Sequence, residues 1–165
     1  MVELPQTFGE AEVRQTVALL LLFGGVMSAE AQEPSQQRPG LPLELLPDTF
    51  AICRLPAQAA LPDWSSTPGS FLTVSRTPDE LSITVVQSAV PASTRCERDY
   101  RAIRVRGTLS PNLVGILVSI AEPLARAGLS ILAISTYDTD YVFVKARDLT
   151  AALQALRNAG HQIGA

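Results

Sequence analysis

Between Leu129 and Ala146 the chain reads LSILAISTYDTDYVFVKA, an apolar run, a polar bend and a second strand-like run. The pattern predicts two strands joined by a turn at Thr136, Tyr137, Asp138 and Asp140. The first run is almost continuously apolar, which predicts a central strand covered by helices. Upstream, SPNLVGILVSIAEPLARAG places Leu113, Ile116, Leu117, Ile120 and Leu124 on one helical stripe. Ser110 is a suitable N-cap, Pro111 suits the first helical position, Pro123 should kink the last turn, and Gly128 ends the helix. Downstream, Leu149, Leu153 and Leu156 form a second stripe, between Asp148 and Gly160. With strands at Tyr100–Arg106 and His161–Ile163, the order is strand, helix, strand, strand, helix, strand. That is the split βαβ pattern of a ferredoxin-like fold. Tyr100–Arg106 and Leu129–Ser135 are expected to be neighbours, with both helices on one face.

The preceding half has a different texture. Pro42–Leu46 and Phe50–Leu55 read as short strands around a Pro47-Asp48 turn. Pro56, Pro62 and Pro68 exclude a long helix between Leu55 and Pro68. Trp64 is expected to plug the first sheet locally. Phe71–Arg76 and Glu80–Val86 form a hairpin, in which Leu81, Ile83 and Val85 alternate with Glu80, Ser82 and Thr84. The expected class is α+β, two tandem units of the βαββαβ kind, the first with eroded helices. The expected divisions are 1–40 (extension and linker), 41–94 (degenerate unit) and 95–165 (well-formed unit).

The amino terminus stands apart. Val17–Val26, VALLLLFGGV, precedes Ser28-Ala29-Glu30-Ala31, an arrangement resembling a secretory leader. Glu3, Glu10 and Glu12 against Arg14 give the wrong flanking charge for one. Translation starting at Met27, or a short helix packing on the domain, are the alternatives. The favoured expectation is a cytoplasmic protein, with export as the alternative. Gln32–Gly40 has the Pro, Gln and Gly content of a linker.

Composition narrows the chemistry. Of 165 residues, 47% are hydrophobic and 18% charged, which suits a packed core. A net charge of −3 argues against nucleic acid. Arg95, Arg98, Arg101, Arg104 and Arg106 cluster, but Glu97 and Asp99 interrupt them, and a solvated strand edge is expected. His161 is the sole histidine, which leaves no zinc set and no histidine-based triad. Cys53 and Cys96 are expected as buried thiols, with a disulfide as the alternative in an oxidising compartment. No G-x-S-x-G elbow, P-loop or dinucleotide fingerprint is present. Tyr137 and Tyr141 are expected to pack at the hairpin, and no cofactor is implied.

Two features carry candidate chemistry. Asp138 and Asp140 lie two apart at the bend. Such a pair can receive an ammonium or guanidinium group, bind a cation, or act as acid and base. The bland alternative is a turn in which Asp138 bonds backbone and Asp140 opens the next strand. Gly115, in the first turns of the expected helix, costs about 1 kcal/mol against alanine. Close approach by a ligand or partner helix would explain it, as would packing on its own sheet. The helix start at Ser110–Val114 would offer N–H groups and a positive dipole end to a carboxylate.

The strings TLSPNLVGILVSIAEPLARAGLSI and ISTYDTDYVFVKARDLTAAL resemble the ACT domains of the CASTOR-type family, which are related to the regulatory ACT domains of aspartate kinases. LPDTFAICRLP, FLTVSRTPDELSIT and AVP extend the resemblance over Leu41–Ile163. It implies two ACT-like units side by side and an amino acid held between units. One wall would comprise Ser110, Pro111, Asn112, Leu113, Val114 and Gly115, the other Thr136, Tyr137 and Asp140. Asp140 matches an aspartate that helps hold a cationic ligand in arginine-sensing relatives. The animal sensors carry more such units, so a complete interface would need a second copy of this chain. The resemblance thus implies a non-catalytic amino-acid sensor, acting as a homodimer or through a partner protein, with no membrane or nucleic acid involved. A ligand-free structural dimerisation domain and a metal-dependent enzyme using Asp138 and Asp140 are the alternatives.

Overall fold

The computed structural model describes residues 40–164. The extension and most of the linker lie outside the described residues. The strands are β1 (Pro42–Leu55), β2 (Thr73–Arg76), β3 (Leu81–Val86), β4 (Cys96–Val105), β5 (Ile131–Ser135), β6 (Asp140–Lys145) and β7 (Gln162–Gly164). The helices are α1 (Ile116–Arg126) and α2 (Leu149–Asn158). A 3-10 turn spans Asp63–Ser66, and the first half contributes no α-helix among the described residues. The class is α+β with ferredoxin-like units, as the periodicity predicts.

The strands form one seven-stranded sheet in the order β2-β3-β1-β4-β6-β5, with β7 parallel to β1. Three expectations need correction. Pro42–Leu46 and Phe50–Leu55 are one strand: Pro47-Asp48 sits in a register shift between Leu45 and Thr49, where β1 bulges against β4. β4 and β5 are not neighbours, because β6 lies between them. β5 is therefore an edge strand; apolar content alone cannot distinguish a buried strand from an edge strand beneath a helix.

One end of β1 pairs with β7 and the other with β3, while β4 flanks both stretches. The two halves of the sequence thus share a sheet. β4 is interior, so its arginines do not mark a solvated edge. They are tied down individually: Arg101 Nη2 donates to the Leu46 carbonyl at 3.0 Å, Arg98 Nη2 to Pro91 at 2.9 Å, and Arg104 Nε to Glu44 at 2.9 Å.

Two apolar clusters hold the sheet. In one, Ile120, Leu124, Ala152 and Leu156 from both helices pack with Leu43, Ile103, Val105, Val142 and Val144. Both helices therefore cover the same side of the sheet, as expected. In the other, Phe50, Phe71 and Phe143 meet edge to face, with centroids 5.3 to 6.3 Å apart. Phe71 also lies 4.5 Å from the Tyr141 ring. Phe71 enters β2 and Tyr141 is on β6, four strand spacings away, or about 19 Å across a flat sheet. The sheet must curl strongly to bring the rings together. Trp64 packs partly buried against this cluster, as a local plug should.

Cys53 and Cys96 are partners in the β1–β4 register and form a disulfide. This overturns the expectation of two thiols: sequence separation hides that antiparallel pairing sets them opposite each other. The lone histidine also has a structural task. Pro123 has no N–H to offer the Ser119 carbonyl four residues back. His161 Nε2 lies 3.0 Å from that carbonyl oxygen. Its Nδ1 accepts the Leu41 N–H at 3.1 Å, so Nε2 must carry the ring proton and donate it to Ser119. His161 is buried, and it joins the start of β1 to the helix that Pro123 interrupts.

Candidate functional site

The site region lies where β4 and the β5–β6 hairpin end together. After Val105 the chain turns at Gly107, whose φ of 85° belongs to the left-handed region. It then runs as a loop to Gly115, where φ is 79°. Gly115 is the residue capping α1, not a helical residue. The helix begins at Ile116, and Ser110 does not cap it. The Ser110 carbonyl instead accepts the Leu113 N–H at 3.0 Å, closing a turn over Pro111 and Asn112. Proline at the second position of such a turn explains both sequence signals that suggested an earlier helix start. The helix-strain argument for Gly115 therefore gives way to a backbone one: its positive φ strains any residue with a Cβ.

Across from this loop, Ser135 and Asp140 are the last pair of the β5–β6 ladder. Thr136 closes the bend twice, its N–H and its hydroxyl both donating to the Thr139 carbonyl, at 2.9 and 2.8 Å. Two further bonds fasten this turn to the loop and to β4. The Leu109 N–H donates to the Asp138 carbonyl at 2.8 Å. The buried Thr139 hydroxyl donates to the Val105 carbonyl at 2.7 Å. The segments containing Ser110–Gly115 and Thr136–Asp140 are thus held side by side by residues that sequence reasoning missed. The available signal was Thr139 itself, a β-branched residue between two aspartates at a bend, where its hydroxyl can reach backbone.

The individual side chains differ in setting. Tyr137 is 95% exposed and Val114 is 90% exposed. Tyr137 is therefore displayed to solvent and not packed at the hairpin, whereas Tyr141 does pack, on Phe71. Leu113 is also exposed, beside the exposed Ser110, Pro111 and Asn112. Asp140 is half-buried and accepts the Ser135 hydroxyl. Asp138 enters the loop contact through its carbonyl, so its carboxylate is not needed for that bond. Next to Asp140 on β6, Tyr141 pairs with Arg104. Hydrogen bonds to Glu44 first, and then to Tyr141, raise the Arg104 pKa and hold its guanidinium charged. Among the described residues, no group of three or more His, Cys, Asp or Glu side chains is placed to hold a metal ion.

A curled, mainly antiparallel sheet with two helices over one side, and with a loop and turn displayed at one end, is the arrangement of an ACT-like, ferredoxin-like fold. The ACT domain family model matches residues 95–158, and a second model, of an N-terminal domain, matches residues 48–93. Among solved structures, the protein Atu0741 from Agrobacterium tumefaciens is 32% identical with a TM-score of 0.72, the match covering 77% of this chain and 94% of that one. The chain belongs to the same family as that protein, and its residues 95–158 form an ACT domain. VC0802 from Vibrio cholerae, described as a possible transport protein, shares the fold at 24% identity and a TM-score of 0.61, over 74% of this chain and 91% of that one. Aspartate kinase from Clostridium acetobutylicum, an allosteric enzyme, shares the fold at 14% identity and a TM-score of 0.55, over 75% of this chain but 36% of its own length. No curated protein matches the chain. Among the described residues, no helix is long and apolar enough to cross a membrane.

Proposed function

We propose that this chain is a non-catalytic regulatory module of the CASTOR type that binds an amino acid between ACT-like units. Residues 41–94 serve as a degenerate unit and 95–165 as the well-formed one. The observation that carries the proposal is the fastening of turn 136–139 to the loop before α1 through Leu109 and Thr139. That fastening fixes two displayed surfaces side by side while leaving Tyr137 and Val114 outward. Ser110–Gly115 form one wall, with the start of α1 suited to a carboxylate. Thr136, Tyr137 and Asp140 form the other, and Asp140 receives the ligand's cationic group. Both walls face outward, which suits a ligand shared with a second copy, and the protein acts as a homodimer; the Cys53–Cys96 disulfide favours the exported alternative over the cytoplasm.

A thermal-shift screen of the twenty amino acids tests this reading. A ligand at a hundred times its Kd should stabilise the native state by about 2.7 kcal/mol. Asp140→Asn should weaken that ligand about ten- to a hundredfold, because a charge-assisted hydrogen bond is lost, while the unliganded melting temperature barely moves. If no amino acid shifts the unmodified protein, the sensor reading fails and a ligand-free dimerisation domain takes its place, as exposed Leu113, Val114 and Val118 would suit.

A further inference from the structure

His161 is the sole histidine of the chain and is buried where several segments meet. Its backbone N–H donates to the Leu156 carbonyl of α2 at 3.1 Å. Its ring stands between the Leu41 N–H, just ahead of β1, and the Ser119 carbonyl of α1. β7 starts at the next residue, where the Gln162 N–H donates to the Leu41 carbonyl at 3.0 Å. Gly40 passes so close to Gly160 that a Cβ on it would collide with the Gly160 carbonyl. The chain thus enters β1 through a tight junction, with the imidazole as one of its fastenings.

We infer that this ring is an acid-sensitive latch, which ties the entry of β1 and β7 to α1 while neutral and releases it on taking up a second proton. The Nδ1 lone pair that accepts the Leu41 N–H is the only place for that proton, since Nε2 already donates to Ser119. In the imidazolium both nitrogens are donors, so the Nδ1–H would oppose the Leu41 N–H, and the two must part. Little else holds this corner: β7 is three residues long and, among the described residues, pairs with Pro42–Glu44 alone. The charged side chains on α1, on α2 and its lead-in turn, and on the first stretch of β1 are engaged elsewhere. Glu44 pairs with Arg104, Glu122 with Arg126, and Asp148 with Arg147, while Arg157 is exposed and Arg106 reaches toward Gly164 of β7. The C-terminal end of α2 favours a cation. Its Ala155, Leu156 and Arg157 carbonyls, however, are taken by the N–H groups of Ala159, His161 and Gly160. Opening is therefore what lets the ring charge. The latch holds fully above about pH 7 and weakens as pH falls through the imidazole range. It requires no bound ligand and does not rest on the sensor reading.

Nitrogen-15 NMR of the full chain tests it without any variant, because the two imidazole nitrogens are unique in the sequence. At pH 8 Nε2 should carry the proton and Nδ1 should be bare. Hydrogen exchange of the same unmodified chain at pH 7.5 and 5.5, corrected for the intrinsic rate at each pH, reads the opening. Protection of Leu41, Leu43, Glu44 and residues 162–164 should fall about five- to tenfold. About tenfold is the most that a ring titrating near pH 6.5 when open can lose one unit below that value. His161→Gln keeps an acceptor and a donor on one side chain but takes up no proton, so the fall should vanish in it. An Nδ1–H tautomer at pH 8, protection indifferent to pH in the unmodified chain, or the same fall in His161→Gln would each overturn the latch.

Discussion

His161 and Pro123 should be energetically coupled, although 38 positions separate them, the difference between 161 and 123. His161→Phe keeps a planar ring and removes both nitrogens. The Leu41 N–H and the Ser119 carbonyl then lose partners now 3.1 and 3.0 Å away. Left unsatisfied, a buried group costs about 1–3 kcal/mol, and partial burial keeps each of these two in the lower part of that range, about 1–2 kcal/mol, so a total of roughly 2–4 kcal/mol is expected. Restoring a helix N–H with Pro123→Ala offers the Ser119 carbonyl an internal donor again. In that background the His161→Phe cost should shrink by about 1–2 kcal/mol, the share belonging to Ser119, while the Leu41 share persists. Urea denaturation of the four proteins, with constant m-values, gives the double-mutant cycle directly. An equal cost of His161→Phe with and without the Pro123→Ala substitution would refute the account. A cost below about 0.5 kcal/mol in both backgrounds would show that neither bond matters to stability.

Thr139→Val keeps the shape and deletes the hydroxyl that donates to Val105, so it should cost about 1–2 kcal/mol, lowering the melting temperature by roughly 3–8 °C. Thr139→Ser, retaining the hydroxyl, should recover most of that loss, and a loss in Thr139→Ser as large as in Thr139→Val would refute the hydroxyl's role. Reducing the Cys53–Cys96 disulfide opens a loop of 43 residues, and chain entropy predicts a loss of about 4 kcal/mol, measurable as a shift in the urea midpoint with reductant. Acid stability should depend on Asp48: hydrogen bonds from the Ser70 hydroxyl and then its N–H, and after these the Arg101 charge, hold its pKa below the ordinary value of 3.8. Its folded pKa is lower than its unfolded one, so the contribution is complete above about pH 4 and fades as pH falls through the folded value. Asp48→Asn should flatten that acid limb and leave the pH dependence near neutrality unchanged.

The candidate site was legible in part. The ISTYDTDY bend and the segment before α1 stand out in the sequence because polar and turn-forming residues interrupt apolar periodicity at both. Their adjacency was not legible. It rests on a backbone bond from Leu109 to the Asp138 carbonyl, and backbone groups look the same at every position. The start of α1 was misplaced because Ser110-Pro111 is a signature shared by helix starts and tight turns. Only the φ of Gly115 separates the two.

The sequence by itself determined the order and kind of elements in the second half. Amphipathic stripes such as Leu117–Ile120–Leu124 and alternation such as Leu81–Ile83–Val85 express local periods of the backbone, which need no knowledge of the partner. Pro56, Pro62 and Pro68 likewise determined locally that no long helix forms between Leu55 and Pro68. Tertiary structure alone decided which strands are neighbours. It set β6 between β4 and β5, merged two apparent strands into β1, placed Cys53 against Cys96, and brought Phe71 to Tyr141 across four strand spacings. It also gave His161 its task, since the orphaned carbonyl and the donor at Leu41 come together only when both ends of the domain close on α1. The physical reason is common to all of these. Strand pairing and curl are chosen by the summed burial of faces distant in sequence, whereas helical and strand periodicity is written within a few residues.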